Sequence, residues 1–173
     1  SEKIDEDHKE FNMSYQKVEA RIKKLISIEG KRTVDNFHRE LGNVLWEYCG
    51  MSRNNSGLKK AKKLIKDLRT EYWENVLVGG SEQNFNQSLE RAWRVADFLE
   101  FGELMVTDAL ERQESCGGHF NENYQTDENE ALRDDKLFCH VSAWEYRGNS
   151  RKPKLHKEPL KFENVELTQR SYK

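Results

Sequence analysis

The chain has 173 residues, 35% of them charged and 35% hydrophobic, with a formal net charge of -2. That length suits one ordinary domain or a domain with an extended tail, and so balanced a charge gives no general reason to expect a nucleic-acid partner. No stretch approaches the roughly 20 apolar residues that span a bilayer and no signal peptide opens the chain, so any membrane association is expected to come through a partner.

Only 2 prolines and 10 glycines favour long uninterrupted helices over a many-turned β fold. Cys49, Cys116 and Cys139 form no regular framework, and an odd count without a secretion signal predicts reduced thiols in a cytosolic compartment. Ser1 in place of methionine fits a processed or excised chain.

The first helix is predicted from about Asp5 to Ile28, with Phe11, Tyr15, Val18, Ile22, Leu25 and Ile26 on one stripe. Gly30 ends it, and Lys23 and Lys24 stand where cations complement the helix dipole. A second helix starts at Thr33 as N-cap, with Asp35 in its first turn, and stops at Gly50. Its stripe is Val34, Phe37, Leu41, Val44, Leu45 and Tyr48. The loop from Ser52 to Gly57 leads to a third helix, about Leu58 to Val76.

That third helix carries Lys59, Lys60, Lys62, Lys63, Lys66 and Arg69. A phosphate-binding stripe is one use for them. The solvated face of an amphipathic helix is the better one, because Leu58, Ala61, Ile65, Leu68 and Tyr72 supply an apolar face between the lysines.

Gly79-Gly80 breaks the chain, and Ser81 is predicted to cap a fourth helix from Glu82 to about Arg112. Phe85, Leu89, Ala92, Trp93, Ala96, Leu99, Leu104 and Leu110 carry its apolar positions, with a phase shift near Gly102. Such a helix would reach roughly 45 Å. The expected fold is mainly α: an antiparallel three- to four-helix bundle, spectrin-repeat-like, over residues 1–114.

Residues 115–173 are expected to form a loop, a hairpin and an extended tail, packed on the bundle or on missing domains. Phe138 to Tyr146 alternates loosely as a strand, Arg147-Gly148-Asn149-Ser150 is turn chemistry, and Lys154 to Leu160 returns as its partner. Phe162 to Tyr172 reads as another extended piece. A lone hairpin is marginal in water, so this one needs a surface to lie against.

Candidate chemistry is thin. Cys116 and His119 are spaced C-x-x-H, with Cys139 and His140 some twenty residues later, a set that invites zinc. Adjacent residues on a strand point to opposite faces, which makes Cys139 and His140 poor joint ligands. Cys116 and His119 also invite comparison with a nucleophile and its base, but no third residue orients them. A tight polar loop is the better account, with Gly117 and Gly118 permitting close approach. No G-x-G-x-x-G or G-x-x-x-x-G-K-[ST] phosphate loop is present. Arg133-Asp134-Asp135 fits a surface turn or an inter-domain ion pair. The residues alone describe a helical bundle with a structured tail and no convincing active site.

The order of the pieces says more than any one of them. Glu40-Leu41 through Leu45-Trp46, then Cys49-Gly50-Met51-Ser52-Arg53-Asn54, then Gly57-Leu58 resembles the start of the C-terminal domain of succinate dehydrogenase and fumarate reductase flavoproteins. There a helix with a Met/Leu-Trp pair leads to a "G-hydrophobe-x-R" loop and a "G-L" opening the next helix. The long helix from Asn86 to Arg112 with Gly102-Glu103-Leu104 is similar, as is its exit from Ala109 to Ser115. Gly117-Gly118-His119 matches the family's "G-small-H" turn. Arg133-Asp134-Asp135 before His140 matches its "R-D-D" and following strand. The likeness covers about 33 to 146, and Leu160 to Val165 with Thr168 to Tyr172 looks like one bacterial branch.

Two departures stand out. Many members carry Arg where this chain has Cys116, and another where it has Asn121, so no anion-binding or flavin-orienting role passes to those positions. The L-aspartate oxidases share the architecture.

The resemblance implies hydride transfer between succinate and FAD, with electrons passed to an iron–sulfur subunit and a membrane quinone site. It places FAD and the catalytic residues upstream. No catalytic, cofactor-binding or metal-binding residue is therefore assigned here. The implied partners are the flavin and substrate-capping domains of the same subunit, the iron–sulfur subunit and, indirectly, a membrane anchor, with no nucleic acid. The implied location is cytoplasmic and peripheral on the inner membrane. Cys116, Gly117, Gly118, His119, Arg133, Asp134, Asp135 and His140 are the predicted contact residues. A free-standing helical adaptor without redox activity is the alternative, and a small zinc protein a third.

Overall fold

The computed structural model describes residues 5–81, 84–148 and 151–168. Its elements in chain order are α1 (Lys9–Ile26), β1 (Arg32–Thr33), α2 (Val34–Cys49), α3 (Asn55–Asn75), β2 (Val76–Leu77), α4 (Gln87–Glu111), α5 (Asp135–Phe138), β3 (His140–Glu145) and β4 (Lys154–Pro159). The fold is mainly helical with one small antiparallel hairpin, as the periodicity predicts.

The core lies between α2, α3 and α4. Phe37 and Leu41 of α2, Leu58, Ile65 and Tyr72 of α3, and Leu99 and Val106 of α4 are all buried. The Tyr72 ring meets Phe37 edge-on at 5.1 Å, and its hydroxyl donates to the Ala92 carbonyl at 2.5 Å. Burial pushes the pKa of that hydroxyl well above the tyrosine range. Arg69 of α3 pairs with Glu100 and Glu103 of α4 across the same seam. Residue 72 thus lies beside 92 and residue 69 beside 100 and 103, so α3 runs antiparallel to α4. The phase shift expected near Gly102 does not occur: Leu99, Gly102, Val106 and Ala109 continue one buried stripe, and a Cβ at Gly102 would stand 3.1 Å from Leu41 and 3.5 Å from Leu45. The bare glycine lets α2 approach α4 closely.

Helix ends follow side-chain chemistry. Thr33 caps α2 as predicted, its hydroxyl accepting from the Asn36 amide at 3.3 Å. Asn54 caps α3 through the Gly57 amide, so α3 begins three residues before Leu58, inside the expected loop. For α4 the expectation fails. Asn86 caps it through the Leu89 amide, and Ser81 lies outside the helix. Asn86 wins because its amide nitrogen also donates to the carbonyls of Gly79 and Ser81, tying the connection to the helix start. Phe85 is therefore not a core residue but stands exposed before the helix, and Glu82 lies outside the described residues.

α1 departs from its predicted stripe. Only its C-terminal end packs, with Leu25 buried, Arg21 stacked over Trp93 and bonded to Asp97, and Lys24 over Trp73. Phe11, Tyr15 and Val18 are exposed. Period alone shows that a helix is amphipathic, not what its apolar face meets.

Two short parallel strands, β1 and β2, lie beyond what the sequence pattern predicts. Arg32 pairs with Val76 and Thr33 with Leu77, clamping the entry of α2 to the exit of α3. At two residues each they are too short for periodicity to register. Beside them Gly30 lies on the Asn75 backbone.

The expected hairpin is present, with His140 opposite Pro159 and Glu145 opposite Lys154. Its support is α4: Trp144 donates to Asp108 at 2.7 Å, and Lys157 pairs with Glu111 at 3.5 Å. The tail from Phe162 to Thr168 forms no strand, and Gln169 to Tyr172 lie outside the described residues.

A methyl group at Gly30 would lie 2.1 Å from the Asn75 carbonyl, so Gly30→Ala is expected to lower unfolding free energy by about 1–3 kcal/mol in urea melts. Gly42→Ala is the matched control. Nothing lies within 4 Å of a Cβ there, and loss of a mid-helix glycine stabilises by roughly 0.5–1 kcal/mol.

Candidate functional site

The α2–α3 loop and the segment after α4 are joined at one end of the bundle. The Arg53 amide donates to the Phe120 carbonyl at 3.0 Å, and the Glu122 amide donates to the Arg53 carbonyl at 2.7 Å. Side chains reinforce the rung. Ser52 donates to one oxygen of Glu122 at 2.6 Å, and Asn54 to the other at 3.3 Å, which holds that carboxyl below its ordinary pKa. Asn121 is fully buried: its amide nitrogen donates to Asn55 and its side-chain oxygen accepts from the Asn123 amide, each at 3.0 Å. The buried Ser115 hydroxyl accepts from the Asn121 amide at 2.8 Å and lies 3.1 Å from the Asn121 carbonyl. Buried polar groups cost little when each has a partner. Among the described residues no buried side-chain nitrogen or oxygen lacks one.

Cys116, Gly117, Gly118 and His119 form one tight turn, closed by two backbone hydrogen bonds between Cys116 and His119 at 2.9 and 3.0 Å. Gly117 takes φ +57°, the left-handed region that glycine reaches freely. His119 is its anchor. Arg53 donates to His119 Nδ1 at 3.0 Å, and Nε2 lies 3.0 Å from the Arg112 carbonyl. An arginine cannot accept and a carbonyl cannot donate, so the ring carries its proton on Nε2 and is neutral. Burial pushes its pKa down, and the Arg53 and Arg112 charges push the same way.

Arg112 and Glu114 tie this turn to the other predicted cluster. The Arg112 guanidinium donates to the carbonyls of Phe138 and His140, each at 3.3 Å, and lies 3.7 Å from Glu114. The buried Glu114 carboxylate accepts from the Asp134 amide at 2.9 Å. Asp134 caps α5 through the amides of Lys136 and Leu137. Arg133 pairs with Asp135 at 2.5 Å and donates to the Thr168 carbonyl at 3.0 Å, so the tail returns across it. His140 is buried with its ring 6.0 Å from Phe138.

The eight predicted contact residues thus fall into two groups held together by Arg112 and Glu114. Within them Gly117, Gly118 and Asp135 are exposed, whereas His119 and Asp134 serve the chain itself. Cys139 caps α5 rather than lying on the strand. Among the described residues no group of three or more His, Cys, Asp or Glu is placed to hold a metal.

Sequence reasoning missed Arg53, Arg112 and Glu114 as the organising charges, and Asn121 as a buried one. The available signal was Arg53 in its glycine loop. Nothing local marks Glu114 as buried, because the amide it accepts from belongs to distant residue 134.

Comparisons with known proteins follow the same outline. The family model described as fumarate reductase flavoprotein C-term matches residues 38–172. The chain is 26% identical over 155 residues to the fumarate reductase flavoprotein subunit of Haemophilus influenzae, covering 90% of this chain and 24% of that one. It is 34% identical over 95 residues to L-aspartate oxidase 2-b of Nicotiana tabacum, covering 54% and 14%. Among solved structures, a quinol–fumarate reductase with menaquinol molecules superposes with a TM-score of 0.78 at 22% identity, over 94% of this chain and 27% of that one. The E. coli quinol fumarate reductase FrdA gives 0.73 at 19%, with the same coverage. At such identities the structures show the shared fold. The chain spans about a quarter, or less, of the length of these relatives.

The neutral His119 sets a pH dependence. The unfolded chain binds a proton near pH 6.5 and the folded chain only at lower pH, so this stabilisation is complete above about 6.5 and is lost as pH falls through the folded value. Urea melts are expected to show wild-type stability dropping below pH 6.5, with a shallower drop in His119→Gln.

Proposed function

Because the chain belongs to the fumarate reductase flavoprotein C-terminal family, we propose that it is the structural C-terminal region of a flavoprotein subunit that interconverts succinate and fumarate with FAD. Electrons then pass to an iron–sulfur subunit and quinone. The observation that carries this reading is the match across 38–172, in a chain that is about a quarter of a fumarate reductase flavoprotein.

The region braces the flavin domain and contributes no catalytic residue. Nor do its own residues fit a flavin site: among the described residues every buried polar side-chain atom is already partnered, and Gly117-Gly118 follows a helix exit rather than a strand. Rigid, internally bonded elements are what a support needs, since a distant site stays in geometry only if its scaffold does not yield. In this reading the exposed parts of the turn at Cys116 to His119 and of the segment Arg133 to His140 meet the iron–sulfur subunit. A membrane anchor is reached through that subunit, at the inner membrane's cytoplasmic face. No helix among the described residues is long and apolar enough to cross a membrane.

The first test is the reading frame upstream of Ser1. Several hundred in-frame codons containing a strand followed by G-x-G-x-x-G are expected, and the subunit they encode should bind FAD and reduce fumarate or oxidise succinate with an artificial electron carrier. A start codon beside Ser1 overturns the reading and leaves the adaptor in its place. Oxidation of L-aspartate in that assay, with none of succinate, assigns the subunit to the other enzyme it resembles at 34% identity.

The contact turn has its own test. Gly118 is exposed and a Cβ there meets nothing within 4 Å, so Gly118→Arg leaves the fold intact. It is expected to weaken binding of the iron–sulfur subunit about tenfold, measured by sedimentation, without changing flavin content.

A further inference from the structure

The outer side of the α2–α4 seam is apolar and uncovered. The two helices run parallel there: His38 stacks on Phe98 at 5.7 Å, and further along Leu41 and Leu45 flank Gly102. On the same side come Gly42 and Trp46 of α2 and Phe101 and Met105 of α4, at helical spacings of three to four residues. Trp46 is 83% exposed and Phe101 61%. Met51, also exposed, carries the apolar surface into the loop whose Arg53 holds His119. Toward the other end the seam turns charged, with Arg39, Arg91 and Arg94 beside Asp35 and Glu90. An apolar centre with an arginine-bearing polar rim is the anatomy of a buried interface, not of open surface.

We propose that this face seats the flavin-bearing part of the same polypeptide. The inference rests on the function proposed above and names the surface through which the support acts. Two observations select this occupant. The chain is 24% of a fumarate reductase flavoprotein's length, so about three quarters of such a subunit lies elsewhere and must meet this region somewhere. The centre of the face offers Trp, Phe and Met without a charge, which suits a permanent contact; parts of one chain meet it without the entropy cost of association. The loop end behaves differently: its polar groups are satisfied within the chain, leaving a small glycine surface for a separate subunit.

Gly42 sits in the middle of this face, and a side chain built there meets nothing of the chain itself. It therefore offers a substitution that blocks docking without disturbing the bundle.

The test is hydroxyl-radical footprinting of Trp46, Met51 and Met105 in residues 1–173 and in the full-length flavoprotein subunit purified without its partner subunits. All three are expected to label about tenfold more slowly in the full-length subunit, as in the water-excluded centre of an interface. Gly42→Arg should return that labelling to the rate seen for residues 1–173 and leave the melting temperature of residues 1–173 unchanged or raised. A flavin-binding subunit in which Trp46 labels as fast as in residues 1–173 overturns the assignment of the face and leaves the parent function standing. Protection that appears only when the iron–sulfur subunit is added overturns it in favour of that subunit. Protection of residues 1–173 that grows with their own concentration overturns it in favour of a second copy. A reading frame without a flavin domain overturns the parent function, and the face with it.

Discussion

One neutral histidine holds the two ends of the sequence's loop chemistry together. His119 accepts from Arg53 on one nitrogen and donates to the Arg112 carbonyl on the other. Arg53 belongs to the loop between α2 and α3, Arg112 to the end of α4. Beside the backbone rung and the contact of buried Asn121 with Asn55, that bridge is what brings the end of α4 into the same unit. With it, the end of the bundle is a single bonded unit, and Arg112 carries the connection on to α5 and β3. The ring must be neutral to do this, because a second proton would remove the acceptor that Arg53 needs.

Two kinds of surface follow. Where the loops are stitched, polar groups satisfy one another and little of the chain is left to offer a partner. Where α2 and α4 run side by side, Trp46, Phe101 and Met105 remain exposed.

The departures from the family pattern also find physical roles. Asn121, where the family pattern set out above has arginine, is completely buried and hydrogen-bonded to Asn55 and Asn123. A guanidinium would need different neighbours in that space. Cys116 keeps the turn's backbone geometry, closed by its two hydrogen bonds with His119.

The helices and their core stripes were legible in the sequence, because burial against neighbouring helices imposes a period of 3.6 residues and Leu58, Ala61, Ile65, Leu68 and Tyr72 obey it. Thr33 as a cap, the hairpin, and the family likeness carried by the order of weak motifs were equally local or linear. The rest depended on contacts between residues far apart in the chain. Asn86 displaced Ser81 as a cap through carbonyls that only the folded connection presents. Phe11, Tyr15 and Val18 kept their stripe but stayed exposed. Glu114 became buried because the residue 134 amide came to it, and His119 gained its tautomer from two arginine residues that lie 66 and 7 positions away. A sequence determines which residues prefer to be buried or to cap. Only the tertiary structure decides which donor meets which acceptor, because that pairing is set by distance in space rather than along the chain.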